Sequence, residues 1–190
     1  MKLRTAAILI GCAAALFSAG CASNDSAMQD AGEITQRVLD PGQWPKTISQ
    51  ERLGMRLTVQ LADTRVAPGG AISANVSLMN SSAEPQHLMW PTSQRFEMVV
   101  SKDPEGREPV AYWSKGMMFQ QMQSEVTLAP GQSVDAKLDI PVWAAADSFA
   151  VDMPGAYLEP GFYFVIASQP GSTNLRTPAL GVAVELPVAQ

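Results

Sequence analysis

The sequence predicts an all-β protein, an antiparallel sandwich whose sheets each have one buried and one wet face. Two observations carry this expectation. Apolar residues recur with period two, and Pro-Gly pairs stand just before several of the segments in which they do so. In "MRLTVQL", Met55, Leu57, Val59 and Leu61 alternate with Arg56, Thr58 and Gln60. In "AISANVSLM", Ile72, Ala74, Val76 and Leu78 alternate with Ser73, Asn75 and Ser77, and "QSVDAKLDI" sets Val134, Ala136, Leu138 and Ile140 against Asp135, Lys137 and Asp139. Successive side chains of a strand point to opposite faces, so strict alternation places one face on a core and the other in water. No helical periodicity of comparable length competes with it.

The turns follow from local chemistry. "VAPGGAISANVSL", "LAPGQSVDAKLDI" and "LEPGFYFVIAS" each place Pro-Gly ahead of a strand. Proline presets the first corner of a turn and glycine accepts a positive φ at the second. Pro68, Pro130 and Pro160 are unequally spaced, so this is shared turn chemistry and not an internal repeat. Further strands are expected at "RFEMVVSK", "PVAYWS", "EVTLA" and "ALGVAVELP", with "SKDPEGREP" as the turn between the first two. About eight short strands with such punctuation fit a sandwich of immunoglobulin-like type, here over residues 53–190.

Residues 1–20 read as a removable leader. Lys2 and Arg4 precede the apolar run "AAILIGCAAALF", which is too short to span a bilayer as a helix. The run ends in "SAG" before Cys21 and resembles the bacterial lipobox, with Ser18 where that pattern usually has Leu. The resemblance implies cleavage before Cys21, a lipid on its sulfur, and a membrane partner through that anchor. Ala22 in place of Asp after the lipidated Cys implies the outer membrane, facing the periplasm. Cys12 leaves with the leader, so the remaining Cys21 has no intramolecular disulfide partner. A domain of about 140 residues buries enough core without one. Residues 21–52 are rich in Ser, Asn, Asp and Gln, and "DPGQWPKT" interrupts any helix, so they read as an irregular tether. Trp44 is its exception, because a large apolar ring gains by packing back on the domain.

The stretch "SSAEPQHLMWPTSQRFEMVV" holds the chain's one histidine, His87. A Ser/His/Asp site would have to use it, yet no GxSxG elbow occurs anywhere, and His87 falls in an expected strand. His87 and Met89 share a strand face, and Met117, Met118 and Met122 cluster in "GMMFQQM". One imidazole with no structural Cys leaves too few strong ligands for a metal, and Met is more often a packing or contact residue. Without Lys2 and Arg4 the 13 basic residues become 11 against 18 acidic ones, a formal −7 with no basic run, which disfavours a nucleic-acid partner. Neither a catalytic constellation nor a cofactor motif stands out. The chain reads as a non-enzyme.

An ordered set of short motifs resembles the BsuPI domain, the intracellular proteinase inhibitor family of Bacillus. The positions are Asn80 and Ser81, then Ser93, Gln94, Phe96 and Glu97, then Asp103 and Gly106. They continue with Trp113 and Ser114, Phe119 and Gln121, then Leu128, Pro130 and Gly131, and Trp143. Gly161, Tyr163 and Val165 close the set, which spans Leu57 to Ala167 in unbroken order. The resemblance implies an immunoglobulin-like sandwich and a proteinase-inhibitor role. The family's named activity is against an intracellular serine protease, whereas this chain carries an export signal, and "AAADSFAVDMPGAYLEP" is longer than expected.

Two readings follow. In the first, the domain is a membrane-anchored inhibitor or binding module for a serine protease, with contacts from "SKGMMFQQMQSE" or from the long "AAADSFAVDMPGAYLEP". Candidate contact residues are Met117, Met118, Phe119 and Tyr157. In the second, it is a structural envelope lipoprotein that binds another envelope protein through a sheet edge without inhibition.

Overall fold

The computed structural model describes residues 40–67, 69–143 and 156–185, with only the backbone at 143, 156 and 157. Cys21 and the segment between Trp143 and Ala156 lie outside the described residues. Among the described residues a 3-10 turn at Pro41–Gln43 is followed by twelve strands. One five-stranded sheet runs β1 (Thr47–Arg52), β2 (Met55–Leu61), β4 (Ala71–Asn80), β9 (Ser133–Trp143), β10 (Ala156–Tyr157). The other runs β3 (Arg65–Val66), β12 (Leu180–Val184), β11 (Gly161–Ser168), β6 (Glu97–Ser101), β7 (Pro109–Tyr112). A ribbon of β5 (Gln86–Trp90) and β8 (Ser124–Leu128) completes the set.

The period-two pattern does what alternation requires. Met55, Leu57, Val59 and Leu61 of β2 are buried, as are Ile72, Ala74, Val76 and Leu78 of β4. They join Met98 and Val100 of β6, Val165 of β11 and Val182 of β12 in a single apolar cluster, so the inner faces of both sheets share one core. Each fully buried Val or Leu contributes roughly 1.5–3 kcal/mol relative to exposure. The ribbon adds Leu88, Trp90 and Leu128 to the same cluster and turns His87 and Met89 outward. Trp90 is wholly buried, its indole N–H donating to the Arg95 carbonyl at 3.3 Å, with the Arg95 guanidinium 5.0 Å from the ring centre.

Most strand pairs are antiparallel, as expected. Two short ones are parallel, β10 on β9 and β3 on β12. A second departure concerns the expected tether. Thr47–Arg52 is not irregular chain but an edge strand paired along its whole length with β2, from Thr47 opposite Gln60 to Arg52 opposite Met55. Its sequence, TISQER, is exposed at all but Ile48, so no hydrophobic alternation announces it. The connecting hairpin has a two-residue loop, Leu53 at φ 54° and Gly54 at φ 72°. Positive φ at both positions matches the twist of paired strands, but Leu-Gly is not the Asn-Gly that usually signals this turn. Trp44 does pack back on the domain. Its ring centre is 5.5 Å from that of Phe162, and a Cβ on Gly181 would come within 2.6 Å of it.

One buried polar side chain joins the first sheet to the ribbon. Asn80, at the end of β4, is 0% exposed. Its amide nitrogen donates to the carbonyls of Glu84 (2.8 Å) and Leu128 (2.9 Å), and its oxygen accepts from the Ser82 N–H (2.9 Å) and hydroxyl (2.7 Å). Its backbone N–H donates to Gln132 and its carbonyl accepts from Gly131. The full hydrogen-bonding capacity of an asparagine side chain is thus used. Asn80→Ala should destabilise the domain by about 3 kcal/mol, because the buried Leu128 carbonyl at the end of β8 loses the amide donor and the hydrogen bonds to the 82–84 turn are lost with it. Urea denaturation checks this, and a loss below about 1 kcal/mol would show that the hairpins hold without it.

Candidate functional site

The connection between β7 and β8, residues 113–123, is held at both ends by the second sheet and its flanks. As the chain leaves β7, the Trp113 N–H donates to the Met98 carbonyl at 2.8 Å. A turn follows, with Lys115 N–H on the Tyr112 carbonyl (3.2 Å), Met117 N–H on the Ser114 carbonyl (3.0 Å) and Gly116 at φ 79°. Glu97 clamps this end. One carboxylate oxygen accepts from the N–H groups of Met98 (2.9 Å) and Ser114 (3.2 Å), and the other from the Ser114 hydroxyl and the Gln94 amide (3.1 Å). The far end is fixed by a reciprocal pair, Ser93 N–H to the Gln120 carbonyl and Gln120 N–H to the Ser93 hydroxyl, both 3.0 Å. Between the clamps the rings of Trp113 and Phe119 meet with centres 6.0 Å apart.

What remains free is the tip. Met118 is 99% exposed, Met117 39% and Met122 63%, whereas Phe119 is half-buried on Trp113. From Gly116 to Gln123 the chain carries no charge. The loop is therefore an uncharged, methionine-rich projection on a fixed base. Met89 of the ribbon is also exposed, and the Gln123 amide donates to its sulfur and to Glu125.

The expected contact residues divide accordingly. Met117, Met118 and Phe119 are together in this loop, the first two outward. The backbone of Tyr157 pairs with Trp143 in β10, at the edge of the first sheet where it meets β7, and its side chain is outside the described residues. His87 is exposed, with Nδ1 3.1 Å from the Thr127 hydroxyl and Nε2 3.4 Å from Glu125. Among the described residues no three His, Cys, Asp or Glu side chains gather as a metal site would need. The two clamps were not anticipated. Their residues, Ser93, Gln94, Glu97 and Ser114, are visible in the sequence only as motif positions, because spacing does not show that positions 93–97 meet 114–120 across a sheet edge.

The β6–β7 turn is also built from motif residues. Asp103 accepts from the Ser101 hydroxyl (3.0 Å) and from the N–H groups of Glu105 (3.0 Å) and Glu108 (2.6 Å). Desolvation pushes its pKa up, but backbone donors at Arg107 and Glu108 and the Ser101 hydroxyl outweigh this and hold it far below the usual carboxylate range. Gly106 sits at φ 71°, and a Cβ there would lie 2.1 Å from the Arg176 guanidinium, which itself donates to the Glu105 carbonyl. Glycine adopts this backbone without strain, and any side chain there would have to push Arg176 off the Glu105 carbonyl.

These motif residues decide the family. Residues 57–167 match BsuPI, described as an intracellular proteinase inhibitor. The chain belongs to the BsuPI family. Its matched region runs from β2 into β11 and includes both clamps, the Asp103 turn and the methionine tip. No curated protein matches the chain in sequence. Solved structures similar to it include a β-glucosidase from Listeria innocua, at 14% identity and TM-score 0.39, covering 74% of this chain and 17% of that one. The alkylpurine DNA glycosylase AlkC of Pseudomonas fluorescens, bound to DNA with an abasic site analog, has 12% identity and TM-score 0.40 over 86% of this chain and 37% of its own. The sporulation control protein Spo0M of Bacillus subtilis has 12% identity and TM-score 0.40, over 70% and 50%. The chain spans half or less of each.

Two outcomes are expected of the motif residues. Asp103→Asn should lower the melting temperature at pH 7. The folded-state pKa is depressed, so the carboxylate stabilises fully above its ordinary value of 3.8, and that contribution is lost as pH falls toward the folded value. The gap between wild type and variant should therefore narrow in melts taken from pH 5 to pH 2; a constant gap would assign the effect to shape and not to charge. Glu97→Ala should free the Ser114 end of the loop and speed its limited proteolysis by about tenfold under conditions where the core stays folded. Unchanged cleavage would mean that the Ser93–Gln120 pair holds the loop alone.

Proposed function

We propose that the protein is a lipid-anchored proteinase inhibitor of the cell envelope, presenting loop 113–123 to a serine protease. The observation that carries this is the uncharged methionine tip held between two hydrogen-bonded clamps. A loop fixed before binding loses little conformational entropy on entering a cleft, which favours tight association. Exposed Met and aromatic side chains are suited to act as the few anchors that dominate such contacts. Membership of an inhibitor family supports the role, and a non-enzymatic chain fits it.

The immunoglobulin-like form of the sandwich is part of the proposal. Strands β2, β4 and β9 stand together in one sheet and β6, β11 and β12 in the other, an arrangement that supports it. So does Tyr163 near the start of β11, whose hydroxyl donates to the Glu159 carbonyl at 2.8 Å, as in a tyrosine corner.

The envelope location rests on the leader and on Cys21 in "LFSAGC". We take Cys21 as the lipidated first residue of the mature chain, with the outer membrane, facing the periplasm, as its destination. Lipid modification with two or more chains anchors a protein stably, whereas one chain does so marginally. Cys21→Ser should abolish incorporation of radiolabelled palmitate and leave the protein unprocessed or in the soluble fraction. Wild-type protein that takes up no label would remove the anchor from the proposal. Inhibition is tested by titrating the full chain against a panel of serine proteases. If none loses activity at micromolar inhibitor, the protein is a structural envelope lipoprotein that binds its partner without inhibition.

A further inference from the structure

We propose that Met118 is the residue placed in the primary specificity pocket of the target, and that the target is a protease whose pocket is a deep apolar slot. This rests on the inhibitor role proposed above and adds the residue and the class of enzyme. Three observations converge on Met118. It is almost wholly exposed, at 99%, whereas both its neighbours are partly covered. It stands between the clamps, four residues after Ser114 on Glu97 and two before Gln120 on Ser93. It also lies in a run of eight residues, Gly116 to Gln123, that carries no charge. A pocket with a buried acidic group would demand a cation there, and an unbranched thioether answers instead to an apolar slot.

The covering of the following residues gives the loop a further property. Phe119 packs on Trp113 and Gln120 exchanges two hydrogen bonds with Ser93. If a bound protease hydrolyses the Met118–Phe119 bond, water adds across it to give a carboxylate on Met118 and an amine on Phe119. The amine stays beside the enzyme because Phe119 and Gln120 are held to the domain. The carboxylate side is held through Ser114 and Trp113. Neither fragment leaves, so the reverse reaction competes with release, and the complex persists as an inhibited one. A loop fixed on one side alone would be cut and lost as a substrate.

The test uses the full chain and three substitutions, Met118→Ala, Met118→Lys and a control outside the loop, Leu53→Ala, which truncates an exposed apolar side chain of the β1–β2 hairpin. Inhibition constants are measured against chymotrypsin, which has an apolar slot, and trypsin, whose pocket ends in a carboxylate. Wild type should inhibit chymotrypsin and leave trypsin active. Met118→Ala should weaken the inhibition on the order of a hundredfold, since most of the group filling the slot is removed. Met118→Lys should turn inhibition toward trypsin, and Leu53→Ala should change it less than about threefold. An exposed side chain bears little on folding, and equal melting temperatures verify this for each variant. If wild type inhibits chymotrypsin and both Met118 variants do so equally well, the inhibitor role stands and Met118 is not its anchor. If wild type is cut after Met118 without inhibition, or if neither protease is inhibited, the proposal falls, and in the second case the inhibitor reading for these pocket types falls with it.

Discussion

A fully satisfied buried asparagine is the constraint on which the arrangement of this domain turns. An apolar residue at position 80 would fill the same space, but it could not speak for the backbone around it. Asn80 ties the carbonyls of Glu84 and Leu128 to the end of β4, while Ser82 and the 129–132 turn bond back to it. In a buried site each unpaired group would cost about 1–3 kcal/mol, so partial satisfaction would be worse than none. Asn80 therefore specifies where the β5–β8 ribbon leaves the first sheet. The ribbon in turn brings Trp90 into the core and Ser93 to the position where it meets Gln120.

The methionine loop is thus the end of a chain of supports. Its C-terminal leg depends on the ribbon, and its N-terminal leg on Glu97, the first residue of β6. Glu97 is placed by two features of the core, Phe96 and Met98, which are buried on either side of it and hold its carboxylate toward Ser114. The carboxylate then satisfies four donors from three residues, Gln94, Met98 and Ser114, which a neutral side chain of the same length could not do. Polar residues near a sheet edge here act as a frame, and the residues without charge are left for contact.

Much of this fold was legible in the sequence, because burial of one strand face writes itself as alternation. β2, β4 and β9 are clear on that ground, and the Pro-Gly turns mark the entries to β4, β9 and β11. β1 was not legible. It is a polar edge strand whose stability comes from backbone pairing with β2 and from a Leu-Gly hairpin, and neither leaves a hydrophobic pattern. The extra pairings β3–β12 and β9–β10 are two residues long and lie below any periodicity signal. Trp44 was legible for the opposite reason, as a large ring in polar chain has an evident gain from burial.

The site was legible in composition and not in geometry. Met117, Met118 and Phe119 were evident as an apolar cluster flanked by turn residues, but their different exposures depend on Trp113, which lies before the turn and receives only Phe119. Glu97 and Ser114 are 17 positions apart, and Ser93 and Gln120 are 27 apart. Such pairs form because β6 and β7 bring their flanking segments side by side, a consequence of register. A one-residue slip between β6 and β7 would turn Trp113 to the other face and part Ser114 from Glu97. The irregularity in pairing at Val100 and Ser101 lies next to the Asp103 turn, whose hydrogen bonds and Gly106 fix where β7 begins. The turn at one end of the hairpin therefore sets the register that assembles the loop at the other.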